Sequence, residues 1–226
     1  MATTYSQLQT KLARVLSDPD KTTFQADTLK DMIAAAWADV SDITPMRFTE
    51  DITPIADTSS YLLLGDVFGG QVDDVSVVNV ELWRGVPTKK AWQQLEPMSK
   101  HPTGLTYSQA GWYFWAGYLM LPDRYMDLID PARDMIRVRG YCPWPPVSGD
   151  NDYLPFGAQV EEDIILVCRI EALRRLTGSR ALFTQWQTRT NNTDVSMASL
   201  DSNLSVAIQE WMRKSNRHRI IREAPG

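Results

Sequence analysis

The 226-residue chain is long enough for one large domain or two small ones, and at 43% hydrophobic and 23% charged its composition is globular rather than disordered. It has no run of about 18 apolar residues, which excludes a membrane-spanning helix, and Met1 to Tyr5 lacks the basic and apolar regions of a signal peptide. The formal charge of -5 is unevenly spread: residues 213 to 222 contribute +5 through Arg213, Lys214, Arg217, Arg219 and Arg222, so the remainder carries -10, and only that segment suits a polyanion.

Thr4 and Gln7 have the spacing of a capping box, and Leu8, Leu12, Val15 and Leu16 predict a short amphipathic helix ending before Pro19. A second helix is predicted from about Asp27, with Leu29, Ile33, Ala36, Trp37 and Val40 on one side. After Pro45 the period falls from 3.6 toward 2. Phe48 to Ile55, Tyr61 to Leu64, Val75 to Leu82, and Met135 to Tyr141 read as strands. Trp112 to Trp115, Gly117 and Tyr118 to Leu121 read as a hairpin or bulged pair, which makes the middle of the chain an antiparallel sheet. Pro143, Pro145, Pro146 and Pro155 then bracket a polar loop that returns the chain to helix.

Gly157 to Thr177 carries Val160, Ile164, Val167, Ile170 and Leu173 at helical spacing, with Glu161, Glu162 and Asp163 in its first turn and Arg174 and Arg175 in its last, as the helix dipole favours. Gly178 is expected to adopt a left-handed conformation that stops this helix. A second helix from Ser179 carries a heptad seam of Phe183, Trp186, Thr190, Thr193, Met197, Leu200, Leu204, Ala207 and Trp211. Thr190 to Asp194 favours helix poorly, so this stretch is either a plain polar layer or a break with Thr193 or Asp194 capping the next piece. The fold class is therefore α+β: a helical bundle of two N-terminal helices (1-44) and a C-terminal hairpin (156-212), an inserted antiparallel β region (45-155), and a basic tail (213-226).

Little here points to catalysis. The two histidines, His101 and His218, sit in a Pro-rich loop and the basic tail, a poor start for a metal site. Gly69-Gly70 is followed by a strand rather than by a helix with Lys-Ser or Lys-Thr, so it reads as a turn and not a phosphate loop. Asp73-Asp74 on a strand face opposite ways, and acids in a first helical turn are ordinary dipole partners. Cys142 and Cys168 form no short motif and read as unpaired thiols of a reducing compartment. No catalytic residue, cofactor or metal is assigned. Trp83, Trp92, Trp112, Tyr113, Phe114, Trp115 and Tyr118 could stack bases, but alternate rings on a strand cover both faces, which favours packing or a protein interface.

In order and texture the chain resembles the bacteriophage head-to-tail adaptor (connector) family. The likeness is carried by Arg47-Phe48-Thr49-Glu50-Asp51-Ile52 after the second helix, and by Ser60-Tyr61-Leu62-Leu63-Leu64-Gly65-Asp66, similar to a Tyr-x-Leu-Pro-x-Asp turn with Leu64 in place of Pro. Tyr118-Leu119-Met120-Leu121-Pro122, the Ile136 to Tyr141 strand, and the loop with Asp150, Asp152, Leu154 and Pro155 fit the same pattern. The resemblance implies a structural, non-enzymatic virion-neck protein made in the host cytoplasm. Such a protein forms a homo-oligomeric ring, commonly of twelve copies, between the portal protein and a downstream tail or neck protein. Double-stranded DNA passes through its channel without specific binding, and no membrane is involved. It further implies that the C-terminal segment, with Arg213, Lys214, Arg217, Arg219, Ile220, Ile221 and Arg222, grips the portal. The sequence-level rival is a nucleic-acid-binding module that uses the basic tail and the sheet aromatics.

Overall fold

The structure is a computed structural model that describes residues 3–62, 75–83, 92–95, 97, 111–115, 117–127, 129–145, 147 and 149–223. Gly69-Gly70, Asp73-Asp74, His101 and the Leu63 to Asp66 part of the Tyr61 run lie outside these residues. The fold is α+β, and the chain divides into two compact units: residues 45–145 form one, and residues 1–44 with 146–226 form the other. The proline-rich loop from Pro146 onward thus belongs with the helices, ten residues earlier than the boundary expected at 155.

In the helical unit α1 (Tyr5–Val15) begins with the expected capping box, Thr4 and Gln7 bonding reciprocally. The loop after Pro146 straps this helix start. Tyr5 and Ser6 donate their otherwise orphaned amides to the carbonyls of Asp152 and Asp150 at 3.0 and 2.9 Å, and Leu154 N donates to Thr3 O at 2.9 Å. The Asp150 carboxylate accepts from Gln9 and Lys30. Leu8 and Leu12 are buried, whereas Val15 is 43% exposed because the helix ends there and the chain turns away.

Asp18, only 1% exposed, makes the turn into α2 (Ala26–Ile43) possible. Its carboxylate accepts from the amides of Thr22, Thr23 and Phe24 at 2.8 to 2.9 Å and from the Thr22 hydroxyl at 2.8 Å. Ser17 and Lys21 take positive φ around it, and Phe24 is buried above it. On α2, Leu29, Ile33, Ala36, Trp37 and Val40 are all buried, as the spacing predicts.

Among the described residues the β unit holds two antiparallel sheets rather than the single one expected. One has the order β1 (Met46–Ile52), β7 (Met135–Cys142), β3 (Ser76–Trp83), β4 (Trp92–Gln94). The other has the order β2 (Ser60–Leu62), β6 (Tyr118–Met120), β5 (Tyr113–Trp115). The β5–β6 pair is the hairpin reading, turned at Gly117 with φ 86°. A four-residue helix, α3 (Asp123–Met126), follows β6. Ile136, Val138 and Cys142 of β7 point inward with Gly140, whose hydrogen faces the Phe48 ring. A Cβ at Gly140 would lie 2.2 Å from Ser76 O and 2.7 Å from that ring, so no larger residue fits. Trp112 and Phe114 belong to this core, the Trp112 indole donating to Leu95 O at 3.0 Å, while Tyr118 is 42% exposed.

The C-terminal helices depart from the sequence reading in two places and decide between its alternatives in a third. Helix α4 (Ala158–Gly178) is ended by the extended backbone of Ser179, whose hydroxyl caps α5 (Arg180–Thr190) by accepting from Leu182 N; Gly178 does not take the left-handed conformation. The seam is broken, one of the two alternatives the sequence offered at Thr190 to Asp194: Asn191 at φ 55° ends α5 and α6 (Met197–Glu223) starts anew. The cap of α6 is neither Thr193 nor Asp194 but Ser196, which exchanges amide-to-hydroxyl bonds with Ser199. Thr193 is exposed and outside any helix. Phe183, Trp186 and Leu200 are buried, and Met197, Leu204 and Trp211 are half-buried.

Trp186 donates its indole N–H to Leu16 O at 3.1 Å and stacks on Phe183, tying α5 to the end of α1. Trp186→Ala and Leu200→Ala are each expected to cost about 2 to 5 kcal/mol, read by denaturant unfolding; a cost too small to resolve would contradict their burial. Asp18 supplies a pH test. Burial pushes its carboxyl up, but the bonds from Phe24, Thr22 and Thr23 outweigh this and leave it below the ordinary 3.8. A lowered folded value stabilises the protein above the unfolded value and ceases to do so as pH falls through the folded one. Asp18→Asn should therefore be less stable than the parent at neutral pH, with the gap narrowing below about pH 4. A gap independent of pH would contradict the assignment.

Candidate functional site

Of the three carboxylates at the start of α4, Glu162 is exposed, but Glu161 and Asp163 are not surface partners of the helix dipole. Asp163 is fully buried and Glu161 is 7% exposed, and each meets a lysine from another helix. Lys214 of α6 reaches Asp163 Oδ1 at 2.7 Å. Lys11 of α1 reaches Glu161 Oε1 at 2.7 Å, and the Thr3 hydroxyl donates to Glu161 Oε2 at 3.0 Å. Three helices are thus joined at one end of α4. Separations of 51 and 150 residues hid both pairs from the sequence reading; the available signal was Lys214 at helical spacing from Ala207 and Trp211, whereas Lys11, 49% exposed, gave none.

This arrangement divides the basic segment. Lys214 turns inward, so it is a structural residue and not part of an exposed docking patch, whereas Arg213 is exposed. Arg217, Arg219, Ile220, Ile221 and Arg222 lie on the α6 backbone, which stays helical to Glu223. Helices α4 and α6 are antiparallel: Ile170 clusters with Ala207, and Asp163 meets Lys214. From Asp163, α4 runs back only to Ala158, about 7 Å, whereas α6 continues from Lys214 to Glu223, about 13 Å. The last turn of α6 therefore extends past the start of its packing partner.

A cleft of about 210 Å³ opens between α2, α4 and α6. Asp31 and Asp39 stand on its α2 side, Met32, Ala36 and Ile170 form apolar lining, and Ile208 and Trp211 come from α6. Glu171, Arg174 and Arg175 complete it, with Arg175 paired to Glu171 at 2.8 Å. Its volume is below the range of pockets that enclose a small molecule. Among the described residues no three His, Cys, Asp or Glu side chains gather as metal ligands, and no helix is long and apolar enough to cross a membrane.

Cys142 and Cys168 form no disulfide and are buried. Burial pushes the Cys142 thiol up to about 11 and the Cys168 thiol up to about 12, so neither offers a thiolate nucleophile at neutral pH.

No protein-family model and no curated protein matches this chain.

The ion pair yields a direct test. Lys214→Met strands a buried carboxylate and should cost about 3 kcal/mol, the lower end of the range for such pairs because the lysine is 21% exposed. Adding Asp163→Leu should recover most of the loss in denaturant unfolding. If Lys214→Met alone is neutral, solvent screens the pair and it does not anchor α6.

Proposed function

We propose that this chain is a structural head-to-tail adaptor of a tailed bacteriophage, a ring-forming neck protein that binds below the portal and continues the DNA channel toward the tail. The observation that carries this reading is the end of α6, a helix anchored at Lys214 that continues to Glu223 with three arginines and an apolar pair along it. Phosphate contact has no use for Ile220 and Ile221, whereas a helix entering a protein groove gains from burying them. The arginines speed encounter with an acidic crevice, and the isoleucines hold the complex once salt screens the charges. The acidic remainder of the chain suits a wall past which DNA slides without being held. In this reading the chain works without a cofactor or catalytic residue, and its partners are the portal, further copies of itself and a tail or neck protein.

The burial of Lys214 decides how the docking segment is to be removed. A cut after Met212 would strip the partner from Asp163 and confuse folding with binding, so the chain is to be ended after Asn216. That protein should unfold like the parent yet fail to bind purified portal rings in co-sedimentation. Ile220→Asp with Ile221→Asp should weaken binding even at high salt. Undiminished binding by the shortened chain would overturn the docking assignment, and binding to DNA that collapses steeply with salt would favour the nucleic-acid alternative.

A further inference from the structure

We propose that the cleft between α2, α4 and α6 receives the end of α6 from a second copy of this chain. The cleft has an apolar floor, with Met32, Ala36 and Ile170 buried beneath it, and an acidic rim, with Asp31 and Asp39 exposed on one edge of α2. Neither aspartate is in an ion pair among the described residues, and the neighbouring cation on that helix, Lys30, is held by Asp150. The two aspartates are eight residues apart, about 12 Å along the helix, so a cationic side chain can approach from either end of the opening. At the α4 side Glu171 already holds Arg175, and Arg174 marks the end that a basic segment would avoid.

What fits is a helix whose sequence sets isoleucine beside arginine, and α6 is one. Positions 213, 217, 220 and 221 share one face of α6 by the helical period: Arg213, Arg217, Ile220 and Ile221. A copy cannot fill its own cleft this way. Its α6 already forms one wall through Ile208 and Trp211 and continues as helix to Glu223, leaving no turn by which the end could double back. The occupant is therefore a second molecule, and the contact is head-to-tail, joining two different patches. A cleft of this size takes one or two side chains, so the contact is weak and sensitive to salt. It goes beyond the portal reading and uses an overlapping segment: free copies hold one another loosely until a portal takes the helix end.

Sedimentation velocity of the full chain over a range of micromolar concentrations tests this without a portal, so failure here leaves the portal assignment standing and failure there leaves this one standing. The parent should associate reversibly, and less so on adding salt. Asp31→Lys with Asp39→Lys should weaken association about tenfold, as should Arg213→Glu with Arg217→Glu. Mixing these two variants should restore association, because the reversed cleft then meets the reversed helix. A parent that stays monomeric throughout overturns the proposal. So does association indifferent to salt, or a mixture that fails to associate although both variants retain the parent's thermal unfolding.

Discussion

Asp163 has only 1% of its side chain exposed, and the helical unit must neutralise it. A carboxylate so placed is costly unless paired, and its partner, Lys214, comes from a helix laid antiparallel on α4. The pairing fixes the register of α6, places Ala207 against Leu166 and Ile170, and sets the point beyond which α6 outruns α4. Glu161 repeats the device on the other side with Lys11 of α1. The buried Leu and Ile positions supply the drive to pack, but they would tolerate a slip of one helical turn; two buried carboxylates each tied to a lysine of another helix would not. That specificity is what a docking element needs, since an anchored helix loses less freedom on binding than a loose tail.

Local features were legible in the sequence, and contacts across the chain were not. The Thr4–Gln7 capping box, the buried side of α2, the β5–β6 hairpin and the alternation along β7 depend on residues a few positions apart, and each stands where the pattern puts it. The division into α+β was visible as a change of period at Pro45. Glu161 and Asp163 looked like surface dipole partners, as exposed Glu162 between them is, because nothing within one turn shows that they are buried. Gly178 looked like a helix terminator because glycine commonly serves there; a serine hydroxyl able to start the next helix displaced it. The weak helix propensity of 190 to 194 left a break or a plain polar layer open; Asn191, which accepts positive φ, makes the break, and Ser196 offers a better cap than Thr193 or Asp194. The cleft combines residues of three helices and could not be read from any one of them.

The β unit contributes a different kind of order. On one face of its larger sheet Arg137 holds Asp51 through two nitrogens at 2.6 and 2.7 Å, Arg139 lies 3.2 Å from Glu81, and Arg47 stands over the Tyr141 ring. These cross-strand pairs pin a register that the buried Ile136, Val138 and Gly140 already favour on the other face. Aromatic residues that might have stacked nucleic acid are instead spent on packing where Trp112 and Phe114 enter the core. The docking proposals therefore rest on the helical unit, whose basic helix end and acid-rimmed cleft have no counterpart among the described β residues.

In the function proposed above, the helix end beyond Lys214 seats this protein on a portal. Imaging purified portal rings mixed with the full chain tests it most directly. The images should show a ring of copies on one end of the portal, with the α6 end of each copy's helical unit in contact with portal subunits. Portal rings that remain bare, or a bound ring held through the β unit with the α6 ends pointing away, would contradict it.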